Sequence, residues 1–205
     1  MTARWPADPS HIAQATERLR GGAVIAFPTD TLYAVGCRAA DQAAVRRLYE
    51  IKRRPTTQPN VLLVHDRAQV DRVAFVDARA ASLIERYWPG PLTLVLPAKF
   101  SRPLVGRIGE AVPETVAVRS PNHLVALALL EGLDEPIMSS SANRAAERPP
   151  VDVGDVFAGL GDDLDIVLDG GPCQIGEPST IFDLTVNPPR ILRQGAIPAA
   201  ELIRG

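Results

Sequence analysis

Short apolar runs recur along this chain, each stopped by proline, glycine or a polar cluster, and they alternate with stretches of helical spacing. The runs at 23–27, 61–64, 92–96, 115–118 and 136–138 are too short to be helices and read as buried strands. The continuous run at 61–64 is that of a strand covered on both faces. Further strands are expected at 32–36, 165–168, 180–184 and 190–192. Asp8 followed by Pro9 predicts a helix start, with Ile12, Ala15, Thr16 and Leu19 on one face and Gly21 and Gly22 at its end. Asp41 caps a second helix whose Ala44, Val45, Leu48 and Ile51 face inward and which Pro55 limits. Two more helices are expected at 78–87 and 123–130, and a mobile loop at the polar, proline-containing segment 144–150. No repeat, linker or shift in composition divides the chain. The expectation is one domain over 1–205, of the α/β (α+β) class, with a mixed parallel and antiparallel sheet flanked by helices.

Composition excludes several classes. A formal net charge of -2 is not that of a protein that coats nucleic acid, although Arg46, Arg47, Lys52, Arg53 and Arg54 form a local basic cluster. No run approaches the ~18 apolar residues that span a bilayer, and the N-terminal residues lack the pattern of a signal peptide. Cys37 and Cys173 are far apart and in no metal-like spacing, so a reducing cytoplasm is the expected location, with no membrane association. His11, His65 and His123 are scattered, and no metal site is expected.

Chemistry is concentrated where the apolar runs end. Thr29, Asp30 and Thr31 follow the run at 23–27 and can present hydroxyls and backbone N–H groups at a strand end. On local sequence alone, a turn in which Asp30 bonds its own backbone is the simpler reading. Lys52 and Arg54 leave a helix end two residues apart, so both can point into one groove. A compact ammonium and a planar guanidinium would there clamp a triphosphate. Ser139, Ser140, Ser141 and Asn143 follow the run at 136–138 as a cap or loop, and equally suit ribose, phosphate or amino-acid contacts. Arg119 closes the run at 115–118, where a charge either reaches water or meets an anion. Neither a phosphate-binding loop of the Gly-x-x-x-x-Gly-Lys type nor a nucleophile elbow is present.

These segments, in this order, resemble the YrdC/TsaC family of L-threonylcarbamoyladenylate synthases, which act in tRNA modification. The matching runs are GAVIAFPTDTLYAVG at 22–36, KRRP at 52–55, YWPGPLTLVL at 87–96, TVAVRSP at 115–121, SAN at 141–143, DGGPC at 169–173, STIFDLT at 179–185 and ILRQGAI at 191–197. The resemblance implies a YrdC-like twisted mixed sheet with a basic concave groove, in the form without a C-terminal extension. It implies synthesis of threonylcarbamoyl-AMP from L-threonine, bicarbonate and ATP with release of pyrophosphate. That is the first step toward N6-threonylcarbamoyladenosine in tRNA. Carried over by position, Thr31, Arg119, Ser139 and Ser179 are the threonine pocket. Lys52, Arg54, Gln58, Thr115, Ser141, Asn143 and Arg193 are the nucleotide side, with Lys52 and Arg54 as the catalytic cations. Mg²⁺ would accompany ATP, a threonylcarbamoyl transferase acting on tRNA is the implied partner, and tRNA binding, if any, would be weak. The chain departs from the family pattern at 34–35, 58, 60, 144–146 and 178, near the nucleotide side more than at the cationic pair. Three alternatives stay open: a YciO-like relative, an RNA-binding module that uses the same groove, and a carbamoyl-phosphate-using transferase.

Overall fold

Aspartate side chains start most of the helices, and they do so by the same bond. Asp8, Asp41, Asp66, Asp77 and Asp152 each accept backbone N–H groups that the first helical turn leaves without a partner. A computed structural model describes residues 2–55, 58, 60–99, 114–144 and 147–203. Its elements run β1 (Ala3–Pro6), α1 (Pro9–Arg20), β2 (Ile25–Phe27), β3 (Ala34–Arg38), α2 (Gln42–Lys52), β4 (Val61–Leu63), α3 (Arg67–Val73) and α4 (Ala78–Tyr87). They continue with β5 (Leu92–Pro97), β6 (Thr115–Arg119), α5 (Leu124–Leu133), β7 (Ile137–Ser141), α6 (Val153–Leu160), β8 (Ile166–Asp169), β9 (Thr180–Asp183), β10 (Arg190–Arg193) and α7 (Ala199–Ile203).

Among the described residues all strands join one sheet, in the order β1-β8-β2-β3-β7-β4-β6-β5-β9-β10. Strand β8 pairs in parallel with β1 and β2, as do β4 with β6 and β5 with β9, while the remaining neighbours are antiparallel. The mixed sheet expected from the irregular interleaving is therefore present. Alternation along the strands sends side chains to two cores. One packs Val35, Met138, Val118, Leu94 and Phe182 against α2, α3, α4 and α6. The other packs Ile25, Phe27, Ile166 and Ile137 against α1 and α5. That second core reaches as far as Leu63 of β4. A groove is lined on the sheet by residues of β3, β7, β4, β6, β5 and β9.

Several boundaries differ from the sequence reading. Strand β3 begins at Ala34 rather than 32, because the Thr29 hydroxyl accepts from Thr31 N and Leu32 N and donates to Leu32 O, which lengthens the turn. Strand β7 runs on through Ser139, Ser140 and Ser141, so these serines lie in a strand and not in a loop or cap; pairing with β3 on one side and β4 on the other holds them extended. Strand β1 and helices α3, α6 and α7 were not expected. Each is short, and β1 is fixed by pairing with β8 at the far end of the sequence. Of the loop expected to be mobile, 145 and 146 lie outside the described residues. The adjoining positions are tied down: Asn143 Nδ2 donates to Glu147 O, and Arg144 pairs with Asp163.

The centre of the sheet is close-packed at one glycine. A Cβ on Gly36 would stand 2.6 Å from Ile137 Cγ2 and 2.9 Å from the Met138 carbonyl oxygen. Since the second of these is backbone in the neighbouring strand, Gly36→Ala is expected to destabilise the fold by about 1–3 kcal/mol. Urea unfolding of the variant, read against the wild type, checks this.

Candidate functional site

Strand alternation builds the groove from its floor upward. Met138 and Val118 point into the helix-covered core, so Ser139, Ser141 and Arg119 point to the open face, and Thr93, between buried Leu92 and Leu94, does the same. Register places Leu63 opposite Arg119 and Val61 opposite Ser139. The result is a hollow of about 390 Å³ whose lining includes Thr31, Ala34, Arg54, Val61, Leu63, Thr93, Arg119, Ser139, Ser140, Ser141, Ser179, Ile181 and Arg193. A larger hollow, about 600 Å³, lies between α1 and α5. It is mostly apolar and gathers no group of reactive side chains.

Arg119 is the most constrained residue of the groove, being 6% exposed. Its Nε donates to Gly90 O at 3.0 Å, its Nη1 to Thr31 Oγ1 at 2.8 Å and its Nη2 to Asp30 Oδ1. A guanidinium has five N–H donors, so one remains on each terminal nitrogen, the number a bidentate carboxylate takes. Burial pulls the Arg119 pKa down and the Asp30 charge opposes that pull. The Thr29 proton goes to Leu32 O at 2.7 Å, so the Thr31 hydroxyl supplies the proton of the 3.1 Å contact with Thr29 Oγ1 and accepts from Arg119. The turn forms as the sequence suggested, but Thr29 makes the local bonds. Asp30 instead reaches a partner 89 residues away.

At the other end Arg54 donates to Gln58 Oε1 at 2.8 Å, Asn60 Oδ1 at 3.0 Å and Ser140 Oγ at 3.1 Å. Arg193 donates to Ser179 O at 2.8 Å and Ser179 Oγ at 3.1 Å, and that hydroxyl lies 2.8 Å from Thr93 Oγ1. Burial lowers the Arg193 pKa and the charge of Arg54 lowers it further, so positive charge is concentrated here. Lys52 and Arg54 do not share the groove. Arg53 between them turns through a left-handed conformation, φ 48°, and sends the two side chains apart. Lys52 is 4% exposed, with Nζ donating to the backbone carbonyls of Ser141 and Asn143. Burial, and then Arg54, bring its pKa down to about 8.

Of the residues expected at the site, the structure brings Thr31, Arg54, Arg119, Ser139, Ser141, Ser179 and Arg193 into one lining. Gln58 is exposed beside Arg54, Thr115 is exposed at the start of β6, and Lys52 and Asn143 are buried beneath the end of β7. Asn60 and Thr93 also belong to the site and were not expected there, whereas Asp30 and Ser140 entered only as members of polar clusters at strand ends. For Thr93 a signal existed, a polar residue inside the apolar run at 92–96. No comparable signal marked Asp30 as the partner of Arg119. Among the described residues no cluster of histidine, cysteine or carboxylate side chains could hold a metal ion, and no helix is long and apolar enough to cross a membrane.

Residues 17–195 match the family model Sua5_yciO_yrdC, described as "Telomere recombination". The chain is 38% identical over 185 residues to a threonylcarbamoyl-AMP synthase of Pyrococcus abyssi, covering 90% of this chain and 54% of that protein. It spans about half the length of this synthase and of those of Bacillus subtilis and Schizosaccharomyces pombe. Among solved structures, P. abyssi Sua5 complexed with L-threonine matches with a TM-score of 0.90 and 36% identity, over 100% of this chain and 59% of that one. Escherichia coli YciO matches with a TM-score of 0.83 and 30% identity, over 96% of this chain and 97% of that one. The fold, the ordered motifs and these likenesses agree, and the chain belongs to the Sua5/YciO/YrdC family.

Proposed function

We propose that the chain makes threonylcarbamoyl-AMP from L-threonine, bicarbonate and ATP and releases pyrophosphate. The observation that carries this reading is one groove with two unlike ends. Arg119 keeps one N–H on each terminal nitrogen for a carboxylate, while Arg54 and Arg193 concentrate charge where a polyphosphate would lie. The structure of a relative that holds L-threonine supports the same assignment. In the reaction bicarbonate gives up hydroxide to become CO₂, and the amine nitrogen bonds to the CO₂ carbon and loses a proton that leaves with that hydroxide as water. A carbamate oxygen then attacks the α-phosphorus as the bond to pyrophosphate breaks. Two anions must meet, so fixed cations aimed at the departing phosphates lower the barrier and the groove holds both reactants in line. Mg²⁺ would arrive with ATP, held by phosphate oxygens and water, and would neutralise charge on the leaving group. Ser139 and Ser179 share the lining with Arg119 and would meet an amino acid seated on it. Ser141 and Asn143 would meet the nucleotide, on a backbone that Lys52 holds from beneath. The product would pass to a threonylcarbamoyl transferase acting on tRNA.

The test is pyrophosphate release from ATP and bicarbonate, with L-threonine, with L-serine and with neither, the adenylate being identified by mass spectrometry. Threonine-dependent release is the expected result. A folded protein that releases none overturns the reading and favours the second one, a relative with the YciO fold and another reaction. That alternative is supported by a match over nearly the full length of E. coli YciO.

A pH effect follows from Lys52. With its pKa lowered from 10.5 to about 8, the folded protein gives up this proton before the unfolded chain does. The folded state therefore gains stability from this group as pH rises between those values. Over the same range the two bonds to the Ser141 and Asn143 carbonyls lose their charge assistance. Turnover is expected to fall above pH about 8 without loss of thermal stability, and Lys52→Arg is expected to move that limb upward. A kcat/KM profile alongside a thermal melt at each pH checks both.

A further inference from the structure

The cations of the groove are not electrostatically equivalent. Arg119 pairs with Asp30, and both are almost fully buried, Asp30 being 2% exposed. The Asn122 N–H also donates to Asp30 Oδ1, at 3.2 Å, while Oδ2 is buried with no partner among the described residues. The carboxylate charge is thus offset by Arg119 and one backbone N–H, and in turn it cancels the charge of Arg119. Arg193, in contrast, is held by the carbonyl and hydroxyl of Ser179, which are neutral.

A ligand arriving at Arg119 therefore meets a guanidinium with a carboxylate behind it. A monocarboxylate can take the two remaining N–H groups, and its single charge is matched by their polarity. A phosphate dianion or pyrophosphate brings further charge that the already paired Arg119 does not offset and that Asp30 repels, so the net cation open to it is Arg193, whose charge is felt at Arg119 but whose side chain is held on Ser179. We infer that Asp30 is a specificity-determining residue, positioned behind Arg119, that reserves this end of the groove for a monocarboxylate and turns phosphate away from it. The inference rests on the reading of Arg119 as the carboxylate holder. Its value to such an enzyme lies in the chemistry, since pyrophosphate would be released into the same groove and could otherwise occupy the amino-acid end.

The wild-type enzyme offers the first test. Inorganic phosphate and pyrophosphate are expected to compete with ATP and not with L-threonine; competition with L-threonine overturns the inference. In Asp30→Asn, phosphate is expected to become competitive with L-threonine and to bind about 10-fold more tightly. Asp30→Glu should restore the wild-type pattern, and adding Arg119→Gln to Asp30→Asn should remove the new phosphate site. A folded Asp30→Asn with wild-type phosphate sensitivity overturns the proposal. Should the wild type turn over no L-threonine, the functional reading fails, and calorimetric titration of phosphate alone still decides the role of Asp30. One extra site that depends on Arg119 supports it, and no extra site overturns it.

Discussion

Arg119→Gln is expected to lower kcat/KM for L-threonine by on the order of 10³, through loss of the charged fork that the proposed function assigns to the substrate carboxylate. The magnitude follows from burial. At 6% exposure the guanidinium is largely desolvated, so its charge is weakly screened where it meets a ligand, and the amide of glutamine carries no charge. The substitution also leaves Asp30 buried without its cation, which is expected to reduce the stability of the fold by about 3–5 kcal/mol. Activity must therefore be read on protein shown by circular dichroism to be folded at the assay temperature. Binding of ATP, which the proposed function places at the opposite end of the groove, should survive. Arg119→Lys separates charge from geometry. It keeps a cation beside Asp30 but cannot donate at once to Gly90 O, Thr31 Oγ1 and a bidentate carboxylate. It should recover most of the stability and little of the turnover. If Arg119→Gln is folded and retains wild-type kcat/KM, the carboxylate assignment fails.

Arg54→Ala is expected to act at the other end and on a different parameter. Its guanidinium is aimed by three acceptors, Gln58 Oε1, Asn60 Oδ1 and Ser140 Oγ, and so is oriented before any ligand arrives. A preorganised cation that meets charge developing on a leaving group contributes chiefly in the transition state. Turnover should fall by about 10²–10³ in kcat, with a smaller rise in KM for ATP, while calorimetric affinity for L-threonine alone stays near the wild-type value. Loss of L-threonine binding in this variant, at unchanged kcat, would mean that the two ends of the groove have been assigned the wrong way round.

The part of the site that was legible in the sequence is the part built by local rules. The apolar runs located the strands because burial demands apolar side chains whatever the partner strand. The aspartate caps marked α1 and α2 because a first turn needs acceptors. Cations and hydroxyls at the run ends marked Thr31, Arg54 and Arg119 as candidates one by one, whereas Ser179 and Arg193 joined them as one set only through the ordered motifs that resemble the family. Ser139 and Ser141 were identified as site residues, but their setting was misread. Polar residues after an apolar run look like a loop until strands on both sides pair with them, as β3 and β4 do.

What the chain's order of residues determined alone is the class of fold, the positions of most of its strands and the chemical types available at their ends. Tertiary structure alone decided which of those groups meet. Lys52 and Arg54 are neighbours in sequence, yet the left-handed turn at Arg53 sends one beneath β7 and the other into the groove. Asp30 and Arg119 are far apart in sequence, yet the sheet order brings them into contact. The physical reason is the same in both cases. Local preference governs the backbone over a few residues, whereas charge pairing depends on distance in space, and only the completed sheet sets that distance.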